Sequence, residues 1–370
     1  MRTGAIRVLV VDDSALMRQL LAQLLGSDPG IEVVGTAADA ARARERIVTL
    51  APDVMTLDVE MPGMDGLTFL QELMDRRPMP VVMVSSLTAA GCATTLRALE
   101  LGAVDFVAKP AEDVRSRMAE VASELVEKIK IAAAARVRRR PASARAPLPP
   151  PPVRTARPPA PSMAGPLIAV GASTGGPEAL REFLAALPPD APGVLVVQHM
   201  PVRFTRAFAD RLDGLCAMRV KEAEDGDVVA PGRALIAPGD RHMRLARAGA
   251  GYCVRLDTGA PRHGHRPAVD VLFGSCAEHA AGRAIGVLMT GMGEDGARGL
   301  LAMRRAGAFT LAQSAESCVV YGMPKSAAEL GAVDELLPLG KLAPAVLARA
   351  CGRGRPPALP ALAGTGAHAR

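Results

Sequence analysis

IRVLVVDDSALMRQLLAQLL, residues 6–25, decides the fold: a short β-branched run breaks at two acids and gives way to an amphipathic stretch. The unit recurs. IEVVG with AADAARARERIVTL, DVMTL with GLTFLQELMDR, PVVMVS with AGCATTLRALELG, and VDFVA with a helix through residue 130 follow in order. Five strand-and-helix pairs are the signature of a doubly wound parallel sheet, and so of an α/β fold. In the fifth helix Val114, Met118, Val121, Leu125 and Ile129 recur at helical spacing, an apolar face that closes a first domain over residues 1–130.

The alternation then stops and later resumes. Residues 131–165 read as a linker dominated by Pro, Ala and Arg; with almost no large apolar side chain it cannot offset the cost of ordering and is expected to be extended and mobile. Over residues 166–352 the pattern returns, with LIAV, GVLVV, AMRV, RALIAPG, AIGVLMT and AFTLAQ as strands and helices near Pro177, Val202, Val269 and Gly296. A second doubly wound α/β domain is expected there, with residues 353–370 as a frayed tail.

Composition agrees with two domains, because 370 residues exceed what one core usually organises. A hydrophobic fraction of 49% supplies both cores, and aromatics at 2% with no Trp mean that Leu, Val, Ala, Ile and Met fill them. Lys+Arg 44 against Asp+Glu 38 gives +6, but much of the excess sits in RVRRRPASARAPLPPPPVRTARPP, where solvated charge in a tether is the plain reading. Cys92, Cys216, Cys253, Cys276, Cys318 and Cys351 form no CxxC pair and imply reduced thiols in the cytoplasm. Asp12 and Asp13 interrupt the first apolar run too early for a signal peptide, and no apolar span reaches membrane length. A soluble, cytoplasmic protein without direct membrane insertion is expected.

In a parallel sheet the carboxyl ends of the strands share one edge, and ligands bind in the crevice there. Asp12 and Asp13 follow the first strand, Asp58 the third and Lys109 the fifth. Three carboxylates so close disfavour one another, and a hard cation such as Mg²⁺ resolves the conflict. A carboxylate between that cation and a lysine is suited to accept a phosphoryl group; the competing reading makes the acids helix caps. VLVVDDSALMR, DVMTLDVEMPGMDGLTFL, PVVMVSSLT and LGAVDFVAKP resemble the response-regulator receiver family, a flavodoxin-like fold. The resemblance implies Asp58 as phosphoacceptor, Asp12, Asp13 and Asp58 around Mg²⁺, Lys109 as partner of the phosphoryl group, and a histidine kinase as donor. It places the switch hydroxyl at Ser85, with Ser86 beside it as the alternative.

VGASTGGPEAL, residues 170–180, carries G-x-S-x-G, a serine on a sharp strand-to-helix turn whose neighbouring amides face a developing oxyanion. A phosphate-cradling loop would look much the same. A base and an orienting acid at the same edge separate the two readings. VLVVQHM delivers His199 just beyond one strand and AIGVLMTGMGEDG delivers Asp295 just beyond another, so Ser173, His199 and Asp295 suit a nucleophile, general base and orienting acid. His242, His263 and His265 compete for the base, and Glu294 and Asp270 for the acid. The order Ser, His, Asp differs from that of α/β-hydrolases.

VGASTGGPEAL, VVQHMP, FADRLD, EAEDGDVVAPGRALIAPGDRHMRL, HRPAVDVLF, VLMTGMGEDGARGLLAMRRAGAFTLAQ and SCVVYGMPKSA resemble the catalytic domain of the chemotaxis protein-glutamate methylesterase family, a Rossmann-like α/β fold. The resemblance implies Ser173 as nucleophile, His199 as base and Asp295 as acid, the Met292 amide as oxyanion donor, and Thr174 as a neighbour steadying the histidine. Ala268 stands where the family often has a hydroxyl residue. The implied activity is phosphorylation-activated hydrolysis of glutamate γ-methyl esters on methyl-accepting chemotaxis receptors, releasing methanol, with deamidation of receptor glutamines. It needs no cofactor for the ester chemistry, and a monomer is expected. Two other classes predict features that are missing: a DNA-binding output domain wants a basic recognition helix, so no nucleic acid is expected as a partner. A dinucleotide oxidoreductase wants an acid where Gln198 and His199 stand.

Overall fold

The computed structural model describes residues 4–61, 63–85, 88–109, 114–137 and 165–352. Most of the expected linker, the expected tail, Ser86, and the side chains of Val114 and Met118 lie outside the described part. The N-terminal unit runs β1 (Ile6–Val11), α1 (Ala15–Gly26), β2 (Ile31–Ala37), α2 (Ala40–Leu50), β3 (Val54–Asp58), α3 (Gly66–Arg76), β4 (Val81–Ser85), α4 (Ala89–Leu101), β5 (Asp105–Ala108) and α5 (Val114–Ala134). Its five strands lie parallel in the order β2-β1-β3-β4-β5. VMTLD of β3 and VVMVS of β4 are buried at every position, as strands covered by helices on both faces must be.

Short polar side chains start these helices. Ser14, Asp39, Asp65 and Thr88 each accept an amide of the first turn, from Met17, Arg42, Thr68 and Gly91. Ser14, not Asp12 or Asp13, therefore caps α1. Leu125 and Ile129 of α5 are fully buried against β1, β3 and β4 residues such as Val8, Val54 and Val82.

The second unit runs β6 (Leu167–Ala172), α6 (Gly176–Ala185), β7 (Gly193–Gln198), α7 (Val202–Leu215), β8 (Arg219–Glu222), β9 (Arg233–Ile236), β10 (His242–Ala248), β11 (Gly251–Asp257), α8 (Val269–His279), β12 (Ala284–Leu288), α9 (Ala297–Arg305), β13 (Phe309–Gln313), α10 (Met323–Glu329), β14 (Glu335–Leu337) and α11 (Leu339–Ala350). Seven of these strands form one parallel sheet in the order β14-β13-β12-β6-β7-β9-β8. From β6 the chain proceeds to β7 on one side and later returns to β12 on the other. The crevice of such a sheet opens where the order reverses, beyond the carboxyl ends of these three strands.

One element departs from the parallel plan. β10 and β11 form a separate antiparallel hairpin across Gly249 and Ala250, tied to α8 where the Leu245 amide donates to Ser275 Oγ at 2.8 Å. HMRLARA does alternate, but a seven-residue run of that kind does not announce that it leaves the main sheet.

The two units touch along α4, β5 and α5 of the first. Phe106 of β5 packs on Phe204 of α7 with ring centroids 4.3 Å apart, and both are buried. Glu100 of α4 forms a two-pronged ion pair with Arg211 of α7. Just past α5 the Arg136 amide donates to Val319 O at 3.0 Å. Among the described residues no helix is long and apolar enough to cross a membrane.

Candidate active site

Ser173 follows β6, His199 follows β7 and Asp295 lies in the loop after β12, so the parallel sheet delivers all three to the crevice. Two further bonds shape the nucleophile loop: the Ser173 amide donates to Thr290 O at 3.0 Å and Gly176 donates back to Ser173 O at 2.7 Å. His199 Nδ1 stands 3.2 Å from Ser173 Oγ, and Nε2 stands 2.8 Å from Asp295 Oδ2. A carboxylate only accepts, which assigns the imidazole proton to Nε2 and leaves Nδ1 open toward the hydroxyl. The ring is thus turned over relative to the serine-protease arrangement, in which Nε2 faces the serine.

Asp295 is 2% exposed, and an isolated charge there would be costly. Burial alone would raise its carboxyl. His199 and the amides of Asp270 and Val269, at the start of α8, instead hold it below the usual carboxylate range. The same charge sits at the positive end of the helix dipole.

Other histidines and acids have other partners. His242 is buried, with Nδ1 accepting from the Ala268 amide at 3.2 Å and Nε2 facing Ala260 O at 3.1 Å, which makes it a strut under the loop before α8. Asp270 accepts from the Gly299 amide at 2.7 Å and faces His263 Nε2 at 2.9 Å. Glu294 is exposed and neighbours His263 and Arg298. His265, weighed from sequence only as a base, lies face to face with His199, centroids 3.8 Å apart and planes 17° apart.

Two expected neighbours behave differently from one another. Met292 borders the crevice, and its amide donates no hydrogen bond to another described residue. The Thr174 hydroxyl, expected to steady His199, instead donates to Asp105 Oδ2 of β5 at 2.8 Å. The cause is the close approach of the first unit, whose Asp105, Glu124 and Lys128 line a cleft of about 820 Å³ together with Ser173, His199 and Met292. Nothing in the sequence pairs Thr174 with a residue 69 positions away.

In the first unit, Asp12 and Asp58 are buried and Asp13 is exposed, with oxygens of all three within 4.8 Å of one another. Lys109 Nζ lies 2.7 Å from Asp58 Oδ2 and 3.2 Å from Asp12 Oδ2. Burial raises the Asp58 carboxyl, with the Asp12 charge beside it, against the opposing pull of Lys109. Three carboxylates with oxygens this close carry more negative charge than Lys109 alone offsets, so the all-oxygen donor set fits a hard divalent cation. Gly66 closes the loop over this pocket, where a Cβ would lie 2.1 Å from Asp58 O. Ser85 Oγ is buried, donating to Gly91 O at 3.3 Å and accepting from Thr95 Oγ1 at 2.6 Å.

Residues 168–346 match the family model described as CheB methylesterase, and residues 8–119 match that of the response regulator receiver domain. The chain is 55% identical over 355 residues to protein-glutamate methylesterase/protein-glutamine glutaminase 2 of Cupriavidus pinatubonensis, covering 94% of this chain and 97% of the relative. It is likewise 55% identical to the protein of that name from Pseudomonas aeruginosa, covering 94% and 98%. Among solved structures, the Thermotoga maritima CheB methylesterase catalytic domain is 41% identical with a TM-score of 0.49, covering 50% of this chain and 97% of that one.

Proposed function

The chain belongs to the CheB methylesterase family, and on that premise we propose that it is a phosphorylation-activated protein-glutamate methylesterase and protein-glutamine glutaminase whose catalytic groups are Ser173, His199 and Asp295. Its substrates are chemoreceptors, and its phosphoryl groups come from a chemotaxis histidine kinase. The single observation that carries the assignment is the unbroken hydrogen-bonded chain Ser173–His199–Asp295 in the crevice.

Ser173 Oγ attacks the γ-carbonyl of the methylated glutamate while His199 Nδ1 takes its proton. Asp295 holds the imidazole with its proton on Nε2 and stabilises the cation that forms. The Met292 amide, having no protein acceptor among the described residues, faces the developing oxyanion. His199 then returns the proton to the leaving methoxide, and methanol departs. Water, activated by the same imidazole, cleaves the acyl-enzyme to free glutamate and Ser173. With a glutamine substrate the leaving group is ammonia and the steps are otherwise the same.

Control comes from the N-terminal unit. We read the receiver as running to the end of α5 at Ala134, because Ile131 and Ala132 are buried and so belong to the helix and not to the linker expected over 131–165; 166–352 is the catalytic domain and 353–370 the tail. Asp58 is the phosphoacceptor, Asp12, Asp13 and Asp58 hold Mg²⁺, and Lys109 and Ser85 meet the phosphoryl group. Bound there, Mg²⁺ neutralises charge on the phosphoryl group during its transfer. In the arrangement described, the receiver lies over the crevice and occupies the Thr174 hydroxyl, which supports a closed state that phosphorylation opens by shifting population. We read the protein as a cytoplasmic monomer; its six free thiols, five of them buried, support the reducing compartment.

Methanol release from methylated receptor membranes tests the assignment. Ser173→Ala is expected to reduce the rate to background, and wild-type turnover by that variant would refute it.

A further inference from the structure

Resting on the triad reading above, we propose that His265 is a positioning residue for the hydrolysis: its ring, stacked on the face of His199, holds that imidazole in the plane that aims Nδ1 at Ser173 Oγ. The two hydrogen bonds of His199 run through Nδ1 and Nε2 in the plane of the ring, and neither bears on its faces, so they resist tilting of that plane only weakly. A flat neighbour at 3.8 Å, inclined by only 17°, removes that freedom and shields one face from water.

The loop is built to aim the ring. Arg262 and His265 exchange backbone hydrogen bonds of 3.0 and 2.8 Å around His263 and Gly264, which take φ 51 and 77. Two successive positive φ angles define the tightest hairpin turn, which Gly264 tolerates and His263 adopts at a cost. His263 is secured by Asp270 Oδ2 at 2.9 Å. On the other side Arg266 donates to Asp240 Oδ1 and to the carbonyls of Thr258 and Gly259. The ring so carefully placed makes no hydrogen bond of its own among the described residues.

It is also uncharged at neutral pH. Burial, then the neighbouring His199, pushes His265 down to about 4; His263 and Lys128 act in the same direction and Asp295 opposes them. A neutral ring supplies a flat surface without repelling the imidazolium that forms on His199. A role in proton transfer would need the nitrogens, whereas positioning needs only the flat face, so phenylalanine should serve.

The full chain, with acetyl phosphate and Mg²⁺, is assayed for methanol release from methylated receptor membranes. His265→Ala is expected to lower kcat roughly tenfold with KM within about twofold, the range a lost aromatic pair allows, while His265→Phe stays near wild type. His265→Leu, of similar bulk but without a flat face, serves where the alanine variant folds poorly and should be slow like it. Wild-type kcat in His265→Leu or His265→Ala overturns the proposal, as does a His265→Phe as slow as His265→Ala. Ser173→Ala in the same assay keeps the two readings apart: activity there sinks the triad, whereas an inactive Ser173→Ala beside a fully active His265→Ala sinks only the positioning role.

Discussion

Asp295→Asn separates two roles that one carboxylate fills. Oδ2 accepts from His199 Nε2 and from the Val269 amide, at 2.8 and 2.7 Å, and Oδ1 accepts from the Asp270 amide at 2.9 Å. Every partner is a donor. If the asparagine oxygen replaces Oδ2, its NH₂ meets the Asp270 N–H head on. If the NH₂ replaces Oδ2, it opposes Val269 and drives the His199 proton to Nδ1, where no lone pair remains for Ser173. Losing a triad acid in this way costs about 10⁴ in kcat, or roughly 5.4 kcal/mol at the transition state. The loss of charge at the start of α8 removes up to about 2 kcal/mol of stability, and the misplaced donor adds about 1–3 kcal/mol. The Asp295 carboxyl titrates below its ordinary 3.8 in the folded state, so its contribution is complete above that pH and disappears as pH falls through the lower folded value. Urea unfolding from pH 7 downward should therefore show a gap between wild type and variant that narrows as pH falls below 3.8. Methanol release supplies the kinetic half. An Asp295→Asn enzyme within tenfold of wild type, or a stability gap that widens in acid, would refute the reasoning.

Asp58→Asn removes the proposed phosphoacceptor, and the ratio of methanol-release rates with and without acetyl phosphate plus Mg²⁺ should fall to about one; a preserved response would place the acceptor elsewhere. Arg211→Ala breaks the ion pair with Glu100 across the receiver interface, where the two side chains are only 31% and 12% exposed; taking the contact as worth about 1 kcal/mol, unphosphorylated activity should rise about fivefold. An unchanged basal rate would show that this pair does not hold the closed arrangement. Gly291→Ala puts a Cβ 2.3 Å from Met323 Sδ and 2.8 Å from Ser173 Cβ, and should cost about 1–3 kcal/mol in urea unfolding together with a fall in kcat. Wild-type values for both would mean that the loop yields freely.

The alternation of short apolar runs with amphipathic stretches determined the α/β class, because strand burial and helical periodicity are local properties of neighbouring residues. It also determined that Asp12, Asp58 and Lys109 share one sheet edge and Ser173, His199 and Asp295 another, since parallel strands align their carboxyl ends. Spacing left several histidines open. The tertiary structure enclosed His242 against the Ala268 amide and laid His265 on His199, and it chose which imidazole nitrogen meets the serine. It also joined Thr174 to Asp105 and set β10 and β11 outside the main sheet. These outcomes depend on the packing of segments far apart in the chain, where side-chain direction is set by whatever surface arrives opposite, and local periodicity carries no record of that encounter.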